Sequence, residues 1–268
     1  MEGMMKRVIV LLVGGLMIAL AGCSKSYGPT SGGNGSMQVN MVDAPANYDE
    51  VNIVVDSVQA HMAGSDSTSG WVTINSTPAT YNLLAYTNGN FAVVGDAQIP
   101  VGQYTQIRLM IGQGSTVDVN GQMHPLTIAS GFQTGVKLNV DATIQANVKY
   151  TLALDFDANR SVVQTGDTAH ANYMLKPVIR TSTTATTGFI AGIILPVTAK
   201  ATVWAYDNVG DTLSTNTSLT GAFELMYVPA GSYSVHIVSN SSLYLDSTIA
   251  GVNVNALATA SIGTILLQ

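Results

Sequence analysis

The sequence predicts an all-β protein of two antiparallel β-sandwiches, carried behind a signal peptide and a flexible tether. Three observations predict it. Short runs rich in Val, Ile, Thr and Tyr alternate apolar with polar residues and are bounded by Gly, Pro, Asn and Asp. No stretch beyond the leader sustains a 3.6-residue apolar period. A polar run, Thr181-Ser-Thr-Thr-Ala-Thr-Thr187, divides the strand-rich sequence into a longer and a shorter part.

The elements follow in order. Lys6 and Arg7 precede the apolar run Val8–Leu20, and small residues follow at Ala21-Gly22, so residues 1–22 have the three regions of a secretory signal. Cys23 is the only cysteine, which excludes an internal disulfide. Residues 23–36 are rich in Gly and Ser and form a tether with a random-coil reach of roughly 20 Å. Alternating strands are then expected at Met37–Val42, Val51–Ala60, Tyr104–Ile111, Val136–Ile144, Tyr150–Phe156 and Tyr173–Arg180. Together they make a first sandwich over residues 37–181. Leu83-Leu84-Ala85-Tyr86 reads as a short helical turn before Asn88-Gly89. Residues 182–187 read as a linker, and residues 188–268 as a second sandwich. Pro100-Val-Gly102-Gln-Tyr104 and Pro229-Ala-Gly231-Ser-Tyr233 share one spacing. In each, Pro presets φ, Gly admits a positive φ, and Tyr packs at the sandwich edge.

Composition narrows the function. The net charge is −6 and only 10% of residues are charged. No Lys/Arg cluster exists that could neutralise a run of phosphates, which excludes nucleic acid as a partner. The histidines His61, His124, His170 and His236 lack metal-site spacing, and no nucleophile elbow, P-loop or dinucleotide fingerprint is present. Each histidine reads as a surface or strand residue.

Three stretches resemble known families. Leu20-Ala21-Gly22-Cys23 resembles the lipobox of bacterial lipoproteins, which implies cleavage before Cys23, acylation of its thiol and attachment to a membrane. Ser24, where Asp favours inner-membrane retention, points by the same resemblance to the outer membrane. Gly188–Ile194, Ala201–Tyr206, Thr217–Phe223 and Val228–Val235 resemble the carboxypeptidase regulatory-like, or transthyretin-like, β-sandwich. That family implies a seven-stranded, non-catalytic accessory domain, in which Gly221 allows the hairpin and Phe223 plugs the core. Met41–Pro45, Gly70-Trp71, Tyr81–Leu84, Pro100–Arg108, Gly135–Lys137, Leu154–Asp157 and Leu175–Pro177 resemble a domain of unknown function found in bacterial envelope lipoproteins. Asn82 departs from the Asp expected there.

Asp155-Phe-Asp157 is the sharpest polar feature. On a strand, residues i and i+2 share a face about 7 Å apart, so the two carboxylates would sit together. With Asp43 as a third oxygen ligand they are candidates for a Ca²⁺ site. The alternative is pairing with Arg108, Lys137, Arg160, Lys176 or Arg180, or capping of turns. Glu50 and Glu224 fall in different sandwiches and do not make a glycosidase pair. Trp204 lies in an alternating strand and reads as core. Trp71, after Gly70, reads as either core or an exposed stacking surface. The expectation is therefore a lipid-anchored envelope protein, without enzymatic activity or an obligate cofactor. Its role would be binding, adhesion or structure, with a glycan or an envelope protein as partner. The competing readings are an enzyme centred on Asp155 and Asp157, and a calcium-stabilised scaffold.

Overall fold

The computed structural model describes residues 33–166, 171–210 and 212–268. The signal at 1–22, Cys23, all of the tether before residue 33, and His170 lie outside the described residues. The fold is all-β.

The alternation in the sequence becomes buried and exposed faces. In β1 (Asn34–Asp43) it turns Met37, Val39 and Met41 into the core. A four-stranded sheet runs in the order β13 (Ile179–Thr183), β10 (Lys149–Phe156), β1, β5 (Ala92–Pro100). It faces a nine-stranded sheet built around the long β2 (Glu50–Met62). Along one side of β2 lie β3 (Trp71–Asn75) and β4 (Ala79–Asn82). Along the other lie β6 (Gly102–Ile111) and β7 (Thr116–Val119). From there β9 (Val136–Ile144) pairs with β6, and β8 (Gln122–Ile128) with β7. The chain of strands ends with β12 (Asn172–Leu175) and β11 (Val162–Thr165). Tyr104, Phe156, Met37, Ile53 and Leu109 are fully enclosed between the sheets.

The second sandwich has seven strands. One sheet is β17 (Ala222–Pro229), β14 (Thr187–Leu195) and β20 (Thr259–Leu266). The other is β16 (Thr212–Asn216), β15 (Thr202–Tyr206), β18 (Gly231–Val238) and β19 (Ser247–Val254). Phe223 is buried in its separate core. Gly221 adopts φ +81° at the turn before β17, where a Cβ would lie 2.2 Å from the Ile194 carbonyl oxygen, so only glycine fits.

Several expectations change. Three of the four sheets are mixed rather than purely antiparallel, β1 running parallel to β10, β8 to β12, and β14 to β20, while the β16-β15-β18-β19 sheet is antiparallel throughout. Each pair is distant in sequence, which gives the crossover that parallel strands need. Residues 34–36 belong to β1 rather than to the tether. The strand expected over Tyr173–Arg180 is interrupted at Pro177, which has no N–H to donate. The flanking amides of Lys176 and Val178 donate instead to the Ser161 carbonyl and hydroxyl. Nor is 182–187 a free linker. Ser182 and Thr183 pair with Ala153 and Leu152, a 3₁₀ turn covers Thr184–Thr186, and β14 starts at Thr187. Threonine hydroxyls hold this passage, Thr183 donating to the Thr151 carbonyl and Thr187 to the Thr183 carbonyl.

Both Pro-x-Gly-x-Tyr segments form the same corner. The Tyr104 hydroxyl donates to the Pro100 carbonyl at 3.0 Å and the Tyr233 hydroxyl to the Pro229 carbonyl at 2.9 Å, with both rings buried. Gly102 has φ +146°, whereas Gly231 does not use positive φ, so the tyrosine bond rather than the glycine is the common device.

The two sandwiches lie in one compact unit. Asn40 on β1 donates to the Tyr227 hydroxyl at 2.9 Å, and Val42, Ala153 and Tyr227 form a small buried cluster between the two cores. Asn88 ties the loop after the expected Leu83–Ala85 turn into the second sandwich. Its backbone N–H donates to Thr215 Oγ1, its amide nitrogen to the Ala222 carbonyl, and its amide oxygen accepts from the Glu224 N–H at 2.7 Å.

Candidate functional site

The structure brings the three predicted acids into one neighbourhood at this joint and engages each differently. Asp155, on β10, lies directly across from Arg180 on β13, and the two close an ion pair at 2.7 Å. Asp157 follows the end of β10 at Phe156 and lines the same concavity as Asp155. Asp157 instead caps the helical turn Ala158–Ser161, its carboxylate accepting from the Arg160 N–H at 2.9 Å, with the Arg160 side chain 3.9 Å away. Asp43, at the end of β1, is 4% exposed. One of its oxygens accepts from the Ala158 N–H at 2.9 Å, and the other has no hydrogen-bond partner among the described residues. Burial pushes its pKa up to about 8, against the opposing pull of the Ala158 N–H, and the nearby charges of Asp155 and Asp157 add to the rise.

This arrangement is that of a structural cluster. Among the described residues no group of three His, Cys, Asp or Glu side chains is placed to hold a metal ion. The concavity containing both Asp155 and Asp157, about 130 Å³, is also lined by Arg160 and Arg180, so the acids meet cations there. Asn82, where Asp was expected, uses its amide oxygen to accept from the Leu84 N–H and cap the 3₁₀ turn.

The aromatic residues divide. Trp204 is not core: the pleat of β15 turns Val203 and Ala205 inward, leaving Trp204 on the outer face, stacked with Tyr206 at 6.4 Å between ring centroids. Trp71 opens β3 on the outer face of the nine-stranded sheet. It is held on three sides. Its indole N–H donates to the Ser67 carbonyl at 3.1 Å, the His61 ring lies 4.8 Å away, and the Arg108 guanidinium sits 4.1 Å above its ring. His61 is itself anchored to the Asp66 carbonyl at 2.9 Å.

Strand register extends this point into a surface. One row across four strands reads Thr73, Gln59, Arg108, Lys137, and the next reads Trp71, His61, Gln106, Asn139. Three strand spacings make the grid about 14 Å wide. Gln59 accepts hydrogen bonds from Arg108 through Nε at 2.9 Å and through a second guanidinium nitrogen, and Gln106 donates to Asn139 at 3.4 Å. The result is a half-buried aromatic ring with one face under the Arg108 guanidinium, set beside amides and a second cation, so that only its other face is left to stack a flat apolar ring while the amides meet hydroxyls around it. Sequence reasoning singled out Trp71 but missed the grid, whose members are spread from residue 59 to residue 139. The available signal was the local run of outward positions Gln59, His61, Gln106, Arg108, Lys137 and Asn139, which holds amides and bases, while acids stand further along the same strands at Glu50, Asp56 and Asp141.

The fold and its sites define the class first: an all-β chain of two joined sandwiches carrying a built outer face. The chain belongs to the family described as Domain of unknown function (DUF4382), whose model matches residues 34–177. No curated protein matches the chain. Among solved structures, a type II cohesin–X-dockerin complex from Acetivibrio cellulolyticus is 33% identical over 30% of this chain and 56% of that one, with a TM-score of 0.24. The chain thus spans little more than half of that structure's length. The minor pilin of Streptococcus agalactiae is 12% identical over 86% of this chain and 95% of its own, with a TM-score of 0.25. An adhesin-like structure from Bacteroides ovatus is 9% identical over 95% and 99%, with a TM-score of 0.21. TM-scores this low assign neither partner nor activity to this chain. Among the described residues, no helix is long and apolar enough to cross a membrane.

Proposed function

We propose that this protein is a non-catalytic glycan-binding or adhesion protein of the bacterial envelope, held to the outer membrane by acylated Cys23. The observation that carries the binding role is the Trp71 face, with an aromatic ring fixed from three sides and bordered by Gln59, Gln106 and Asn139. Holding a ring in place before binding lowers the entropy lost on association. The Leu20–Cys23 motif supports the anchor, and the tether would hold the folded part clear of the lipid surface. The seven strands after residue 187 support a carboxypeptidase regulatory-like role for the second sandwich, as an accessory body against which the first is braced.

Retention of the full chain on immobilised envelope polysaccharides tests the reading. Wild type is expected to be retained and Trp71→Ala to elute early. Wild type passing unretarded through every polysaccharide, or Trp71→Ala behaving as wild type, would overturn it. Cys23→Ser is expected to move the protein from the membrane fraction to the soluble fraction.

A further inference from the structure

The grid around Trp71 carries a charge arrangement that its own sheet does not balance. Arg108 on β6 and Lys137 on β9 are directly opposite each other and point to the same outer face. Like charges in that position repel. Among the described residues neither pairs with a carboxylate, and none of the eight grid positions is acidic. In a chain with 16 acidic and 10 basic residues, eight neighbouring positions without an acid and with two adjacent cations are a local reversal of sign, bounded along β9 by Asp141, which Gln103 engages.

Arg108 is also built into place. Its stem crosses Gly135, which has φ +96° and where a Cβ would lie 2.7 Å from Arg108 Cγ and 2.6 Å from Met110 Sδ. Its head is fixed between Gln59 and the Trp71 ring. Those contacts use Nε, a hydrogen of Nη2 and the guanidinium face, and leave the remaining Nη hydrogens for a further acceptor. Lys137 is exposed beside it and supplies a second cation.

We propose that the Trp71 face binds an acidic polysaccharide, with a sugar ring stacked on Trp71 and a uronic-acid carboxylate held by Arg108 and Lys137. This rests on the glycan-binding role and specifies its ligand. Charge complementarity selects the carboxylate, since a neutral sugar would leave both cations as they are in the free protein. The amides of Gln106 and Asn139 line the neighbouring row, where the hydroxyls of the same chain would lie.

The test measures binding of the full chain, in detergent micelles, to polygalacturonate, to its fully methyl-esterified form and to dextran sulfate. Polygalacturonate is expected to bind about tenfold more tightly than the ester, the equivalent of one charge-assisted hydrogen bond. Arg108→Gln and Lys137→Gln should each remove the preference for acid over ester, whereas Trp71→Ala should weaken binding to both forms and keep their ratio. Lys137 is exposed, so its variant reads the charge without risk to the fold. Equal affinity for acid and ester would overturn the acidic ligand while leaving a glycan-binding role intact. Absence of binding to either sugar would overturn both. Dextran sulfate binding as tightly as polygalacturonate would reduce the face to a general polyanion attractor and overturn the carboxylate assignment.

Discussion

The acid cluster at the sandwich joint and the basic face of the large sheet treat charge in opposite ways. Asp155 meets Arg180, Asp157 caps a helical turn, and Asp43 accepts an N–H while held neutral by burial. Arg108 and Lys137, by contrast, stand opposite each other without a carboxylate. Where a charged group finds its complement inside the molecule, the group holds the fold together. Where the complement is missing, as at Arg108 and Lys137, the proposed ligand supplies it. The sequence marked the acids as the functional candidates, and by this criterion the bases are the better ones.

The largest effect expected on the structural side comes from Asp43. Its folded pKa is raised to about 8 from the ordinary 3.8 of an aspartate. Between those values the unfolded chain has lost the proton that the folded protein keeps. The stabilising contribution is therefore fully present below about pH 4 and is lost as pH rises through about pH 8, at up to about 1.4 kcal/mol per pH unit. Asp43→Asn keeps an acceptor for the Ala158 N–H and cannot ionise. Urea melts should show wild type weakening from pH 5 to pH 8 and the variant losing less, so that the variant is the more stable of the two at pH 8. Parallel pH profiles for the two proteins would show that Asp43 ionises without penalty in the fold.

A smaller loss is expected on breaking the ion pair. Asp155 and Arg180 have side chains 19% and 23% exposed, so the pair is largely shielded from water. Asp155→Asn leaves the arginine charge without its carboxylate, and about 2 kcal/mol of stability should go with it, a drop of several degrees in Tm. An unchanged melting temperature would place this cluster with the surface pairs that contribute nothing measurable.

Much of the fold was legible because alternation is a local property. Val136–Ile144 forms a strand over those same residues, and Leu83–Ala85 forms the expected turn. The paired Pro-x-Gly-x-Tyr spacing became two tyrosine corners. What escaped the sequence depends on contacts between distant residues. Asn88-Gly89 reads as an ordinary turn, yet Asn88 binds Thr215 and Glu224 more than 120 residues away. Asp155 and Asp157 line one concavity, but their partners, Arg180 across the sheet and the helical turn after the strand, are set by the fold. The grid needs the register of four strands before Gln59, Trp71, Arg108 and Lys137 become neighbours. Trp204 was misplaced because alternation gives the period of burial but not its phase, and Val203 and Ala205 took the core side.

The smallest expected effect sharpens the comparison most. If Arg108 and Lys137 repel in the free protein, removing one charge should help the fold, although the same change should impair binding. Lys137→Gln is expected to raise stability by about 0.3 kcal/mol at low salt. The gain should fade as added salt shortens the screening length to about the separation of the two groups. Chemical melts at two ionic strengths measure it. A loss of stability would mean that Lys137 has a stabilising role within the sheet, and the face would then resemble the acid cluster rather than oppose it. A small gain together with weaker polygalacturonate binding would show this pair of cations trading stability in the free protein for affinity in the complex.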